Sequence, residues 1–210
     1  MIRNIRLLTV MSLIAALALG LAACGGDDDD DSSGAGATSA MTETDDSAMA
    51  ATLMLNGEET VLALDADTAG VLEENQVTVA PVAPATAGDA GIAFPITGGE
   101  VDSESLAGTI DHSGGLKFSA GGTEVELTDF VIDTEAGTLT ATLPDGTQLT
   151  TLDVDLSGLE RSDEGGAIVL TGIATTLTGD AATALNDAFS VELFEGGLPI
   201  GEVTVRATAG

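Results

Sequence analysis

The sequence predicts a mostly β domain, an antiparallel β-sandwich or partly open barrel with two short helices, placed after a signal peptide and a disordered tether. Three observations predict it. Short runs of alternating apolar and polar residues recur through residues 99–158, separated by turn signals such as Gly121-Gly122 and Pro144-Asp145-Gly146. Strands at that spacing, joined by such turns, mark all-β architectures. Two segments, 65–74 and 180–189, carry a helical apolar spacing instead. Residues 1–50 carry neither β alternation nor an amphipathic helical pattern.

Residues 1–23 read as an export signal. Arg3 and Arg6 form a basic start, residues 7–23 are uncharged and rich in Leu and Ala, and the run ends in Leu21-Ala22-Ala23-Cys24. That ending resembles the lipobox of bacterial lipoproteins, which implies cleavage before Cys24, acylation (palmitate) of Cys24, and lipid anchoring on the extracytoplasmic face of the cell membrane. Two or more acyl chains hold a protein stably to a bilayer. Cys24 is the only cysteine, so neither a disulfide framework nor a thiolate metal site is expected. Residues 24–50 include five consecutive aspartates and are otherwise mostly Gly, Ser, Ala and Thr, the composition of an extended acidic tether.

From residue 51 to 210 a single β-rich domain is expected. Residues 52–55 and 60–64 read as strands around an Asn56-Gly57 turn. Residues 65–74 read as a helix capped by Asp65, 76–80 as a strand, and 81–91 as a loop. The central strands are placed at 107–111, 116–119, 124–133, 138–143 and 148–156, with a turn at Ser113-Gly114-Gly115. A long strand at 167–177, bulged at Gly172, leads into the helix at 180–189, and strands at 191–194 and 202–207 close the chain. The order of strand, capped helix, strand and a Pro-Ile/Gly-Glu-Val strand occurs before the central meander and again after it, so an internal pseudo-symmetry is expected.

Composition excludes several functions. Lys and Arg number 5 against 35 Asp and Glu, a formal net charge of −30. No basic patch exists to neutralise phosphates, so no nucleic-acid partner is expected. There is no Trp or Tyr and only five Phe, which removes the usual sugar-stacking platforms and interface anchors. With one His and one Lys, no Tyr and no Gly-x-Ser-x-Gly elbow, the inventory for acid–base or nucleophilic chemistry is thin, and no enzyme is expected.

Two candidate sites remain. Asp153, Asp155 and Ser157, followed by Gly158 and then Glu164, match the spacing of an EF-hand calcium loop. Arg161 brings a cation into that loop, and the alternation of Leu152, Val154 and Leu156 also reads as a plain strand with its acids facing water. His112, the only histidine, stands beside a turn and is the one soft ligand for haem or a metal; it reads equally as a structural hydrogen-bonder.

The segments Gly108-Thr109-Ile110-Asp111-His112-Ser113-Gly114-Gly115-Leu116, Leu127-Thr128-Asp129-Phe130-Val131 and Gly137-Thr138-Leu139-Thr140-Ala141 are joined later by Leu177-Thr178-Gly179-Asp180 and Phe194-Glu195-Gly196-Gly197. Together they resemble the HtaA-type domain of actinobacterial cell-envelope proteins, over roughly residues 99–207. The resemblance implies a β-rich domain with a short helix, and some members of that family bind haem. It places His112 in the family's Gly/His segment, while the haem-ligating tyrosine of the family has no counterpart here. The expected role is therefore a non-catalytic binding or structural one at the envelope, with no obligatory cofactor. Two alternatives stand beside it: a haem- or metal-associated accessory protein, and a carrier of an apolar ligand.

Overall fold

The computed structural model describes residues 51–210; the expectations for residues 1–50, Cys24 among them, lie outside the described residues. Inward-facing apolar side chains define each long strand. In β1 (Thr52–Leu64) the buried positions change parity, from Leu55 to Thr60 and Leu62. The change falls where Gly57 and Glu58 take φ of 68° and 67° and the register with the neighbouring strand slips. Asn56 and Gly57 are thus a bulge in one continuous strand, not the expected hairpin turn. A bulge inserts one residue and restores the inward face beyond it.

After β1 come α1 (Ala66–Glu74), β2 (Thr78–Val82), β3 (Thr86–Gly88), β4 (Gly91–Asp102), β5 (Gly108–His112) and β6 (Gly115–Ala120). Then follow β7 (Thr123–Asp133), β8 (Thr138–Thr142), β9 (Gln148–Asp155), β10 (Glu160–Glu164), β11 (Ala167–Leu177), α2 (Gly179–Phe189) and β12 (Pro199–Ala209). All pairings are antiparallel. Eight strands run β7-β5-β4-β1-β12-β11-β9-β8, and β8 pairs back onto β7, closing a barrel. The all-β class holds, and the sandwich or partly open barrel is corrected to a closed one. The physical reason lies in β7, whose residues Val131 to Asp133 bond β5 along one edge and β8 along the other. Alternation alone does not report how many edges a strand uses.

Two strands are broken rather than reversed. β5 and β6 run in the same direction along one edge of β7, so Ser113-Gly114-Gly115 is a bend and not a hairpin. Gly114 takes φ of 82° there, and a Cβ on it would strike the backbone at Val82 and Ala85. β9 and β10 likewise share one edge of β11, parted opposite the Gly172 bulge that the sequence predicts. β6 extends past the barrel and carries β2 as an edge strand.

The two helices cap one end of the barrel. Asp65 caps α1 by accepting from the amides of Asp67 and Thr68 at 3.1 and 3.0 Å, and the Thr68 hydroxyl donates to the Pro199 carbonyl at 2.6 Å. Thr178 caps α2 and donates to the Thr150 carbonyl at 2.7 Å. Residues 191–194 are not the expected strand. The amides of Leu193 and Phe194 are taken by the Asn186 side chain, whose Oδ1 accepts them at 3.0 and 2.9 Å, and that of Val191 by the Asn186 backbone carbonyl at 3.0 Å. The expected pseudo-symmetry is therefore partial: β1–α1–β4 and β11–α2–β12 sit side by side in the barrel, but β2 after α1 has no counterpart after α2.

Candidate functional site

The barrel is packed at one end and hollow at the other. At the packed end Ile110 and Val205 are each 1% exposed, and the residual voids are only about 20 and 10 Å³. Towards the helical cap the interior opens into a cavity of about 350 Å³. Its wall is built from alternate residues of the strands, such as Leu62, Phe94, Leu127 and Ile132, and from Leu72 of α1 and Leu185 of α2. Phe94 and Phe130 meet edge to face, with centroids 5.2 Å apart, in the geometry that aromatic quadrupoles favour. The exposed members of the wall, Glu124, Pro144, Asp145 and Ala188, mark its mouth. α2 turns small residues, Ala181 and Ala184, to the same space, so the helix does not fill the barrel end it covers.

His112 stands in this wall, 5% exposed, at the last residue of β5. Its Nδ1 lies 3.0 Å from the Phe130 carbonyl and its Nε2 2.7 Å from the Thr60 hydroxyl. A carbonyl only accepts, so Nδ1 carries the proton, Nε2 accepts, and the Thr60 hydroxyl donates to it. Burial pushes the His112 pKa down, and the Phe130 carbonyl and nearby Asp111 carboxylate only partly oppose that. The imidazole is therefore neutral at neutral pH and fully hydrogen-bonded. The other polar side chains of the inner wall are likewise committed: Thr151 donates to the Leu139 carbonyl at 3.1 Å, and Thr68 to Pro199.

Asp153, Asp155, Ser157 and Glu164 are placed elsewhere. Asp153 and Asp155 lie on the exposed face of β9, and Asp155 accepts from the Ser157 amide at 2.9 Å, which lowers its pKa. Glu164 is the last residue of β10, at the end of that strand far from Ser157, and is bound by Arg206 at 3.2 Å. Among the described residues no three of His, Cys, Asp and Glu converge as a metal site. Sequence reasoning picked out His112 but missed Thr60, the residue that completes its bonding. The signal was present: Thr60 is a polar residue in the inward frame of Leu62 and Leu64.

No protein-family profile matches the sequence, and no curated protein is similar to it in sequence. Solved structures are similar in fold. The C-terminal domain of HtaA from Corynebacterium glutamicum matches with a TM-score of 0.55 at 15% identity, over 75% of this chain and 99% of that domain. The N-terminal domain of the same protein matches with a TM-score of 0.52 at 13% identity, over 74% of this chain and 97% of that domain. A fainter likeness, TM-score 0.43 at 7% identity over 76% and 96% of the two chains, is to the heme binding protein HtaB of that organism. The closed barrel with its two capping helices has the fold of the HtaA-type domain.

Proposed function

We propose that the described domain is a non-catalytic binding module that takes an apolar ligand into the hollow half of its barrel. The observation that carries this is the cavity of about 350 Å³ behind a nearly all-hydrocarbon wall. That volume falls within the range of ligand pockets, roughly 300–1,000 Å³. An apolar hollow of this size leaves its wall without packing partners, and the atoms of an apolar ligand would supply them. The other half of the same barrel, with voids of only about 20 and 10 Å³, supports this reading by its contrast with the hollow half.

Haem is the second reading, favoured by His112 and by the HtaA-type fold. An Nδ1–H held by a backbone carbonyl is the arrangement that orients a metal-ligating imidazole, and His112 has it. The fit is to the ring and not to the whole group. Nε2 is engaged by Thr60, and the cavity wall contains Glu124 and Asp145 but no Lys or Arg to meet two propionates.

Titrating the full-length Cys24→Ser chain with Nile red and, separately, with haem tests both readings. Nile red should brighten and shift to the blue, and Ala184→Phe, which fills the cavity from α2, should abolish the change. A dye unaffected by the protein sinks the binding reading. A Soret shift lost in His112→Ala supports haem; no shift ends the haem reading alone.

We further propose that Cys24 carries the lipid that holds this domain at the extracytoplasmic membrane face, on an acidic tether. The uncharged run before Leu21-Ala22-Ala23-Cys24 supports it. Mass spectrometry of the membrane fraction should find a chain that begins at an acylated Cys24; a membrane-bound chain that keeps residues 1–23, or an unmodified Cys24, rules the anchor out.

A further inference from the structure

We infer that the ligand of this cavity is electroneutral: a long-chain apolar molecule whose polar end is a hydroxyl or a similar uncharged donor, and not a carboxylate. The inference rests on the binding reading above and follows from where a polar end would have to sit.

Pointing inward, it meets Thr60, Thr68, His112 and Thr151. Each has already given its proton within the protein: Thr60 to His112 Nε2, His112 Nδ1 to Phe130, Thr151 to Leu139, Thr68 to Pro199. These residues therefore present hydroxyl lone pairs and no unshared N–H or O–H. A buried carboxylate needs donors and would find none, at a cost of several kcal/mol that its chain cannot recover. A hydroxyl needs an acceptor, and the Thr60 or Thr151 oxygen supplies one.

Pointing outward, the polar end meets Glu124 and Asp145. The Asp145 carboxyl accepts from the Thr147 amide at 2.9 Å, which holds it below its ordinary pKa and therefore ionised. Among the described residues the cation paired at this mouth is Lys117, whose Nζ is 3.3 Å from Glu124. Lys117 alternates with Leu116 and Phe118, and Glu124 with Val125, all three of which line the cavity, so the ion pair stands together at the outer edge of the mouth. An anionic head would have to take Lys117 from Glu124 and leave that carboxylate unpaired. The formal charge of −30 adds to the repulsion. Both orientations thus reject an anion and accept an uncharged end.

Competition for Nile red by dodecan-1-ol and dodecanoate, at pH 8 and low salt, tests this on the full-length Cys24→Ser chain. Dodecanoate should compete at least about tenfold more weakly than the alcohol. In Glu124→Gln/Asp145→Asn that gap should narrow several-fold, because dodecanoate gains more than the alcohol does. Equal or stronger competition by dodecanoate in the unsubstituted mouth overturns the inference while leaving the binding reading intact. Failure of Nile red itself to bind removes both.

Discussion

The Nδ1–H of His112 donates to the Phe130 carbonyl, and the Thr60 hydroxyl closes the other side of the ring. Charging this imidazole would put a proton on Nε2, against the Thr60 donor, inside an apolar wall. Burial is the largest cause of its lowered pKa, and it acts in the same direction. The sign for stability follows. The unfolded chain takes up a proton near pH 6.5 and the folded protein resists it, so the fold is at full strength above that value and weakens as pH falls through it. Asp102, Asp145 and Asp155 have lowered pKa values set by hydrogen bonds from Ser105, Thr147 and Ser157, and their contribution is lost only at more acid pH, below about 4. Urea unfolding at pH 7.5 and pH 5.5 should therefore differ by about 1 kcal/mol in the unsubstituted protein. His112→Gln should be flat across that window, and less stable at pH 7.5 by about 1–3 kcal/mol because Thr60 and Phe130 lose their partner. A pH-independent unsubstituted protein would mean that the ring is charged or solvated in the folded state.

At the scale of elements, what could be read from sequence is what local chemistry decides. Asp65 is followed by a helical apolar spacing and caps α1; the long strand 167–177 bulges at Gly172 as its sequence implies. What could not be read is set by partners far along the chain. Asn56-Gly57 has hairpin chemistry, yet β1 runs through it because β12 and β4 bond both of its edges. Ser113-Gly114-Gly115 has turn chemistry, yet β7 carries β5 and β6 end to end. β10 shows no alternation because all five of its residues are exposed, and only its bonding to β11 makes it a strand. Residues 191–194 alternate like a strand, but Asn186 takes the amides of Leu193 and Phe194 with its side chain and that of Val191 with its carbonyl. The site divides in the same way. His112 was visible as the lone histidine, whereas the cavity is a property of the closed barrel and of small residues on α2. No window of sequence contains it.

The whole molecule joins a barrel packed in one half to a surface with very few positive charges. Among the described residues each basic side chain is already paired: Lys117 with Glu124, Arg161 with Asp163, and Arg206 with Glu58 and Glu164. The remaining carboxylates face water with no cation beside them, and a formal charge of −30 repels itself when the chain is compacted. Screening shortens that repulsion, since the Debye length falls from about 10 Å at 0.1 M salt to about 3 Å at 1 M. The melting temperature should therefore rise by several degrees between 20 mM and 1 M NaCl, against the usual expectation that salt weakens surface ion pairs. The exposed pairs here are few, and each is worth at most about 1 kcal/mol, so repulsion among the unpaired acids should decide the sign. The same reasoning separates bulk screening from a specific site at Asp153, Asp155, Ser157 and Glu164. These residues are spread over β9, the turn after it and the far end of β10, with Glu164 held by Arg206. Calcium and magnesium chlorides at equal millimolar concentration should then raise the melting temperature equally. A shift specific to calcium, and lost in Asp155→Asn, would show that the loop rearranges into a cage around the ion.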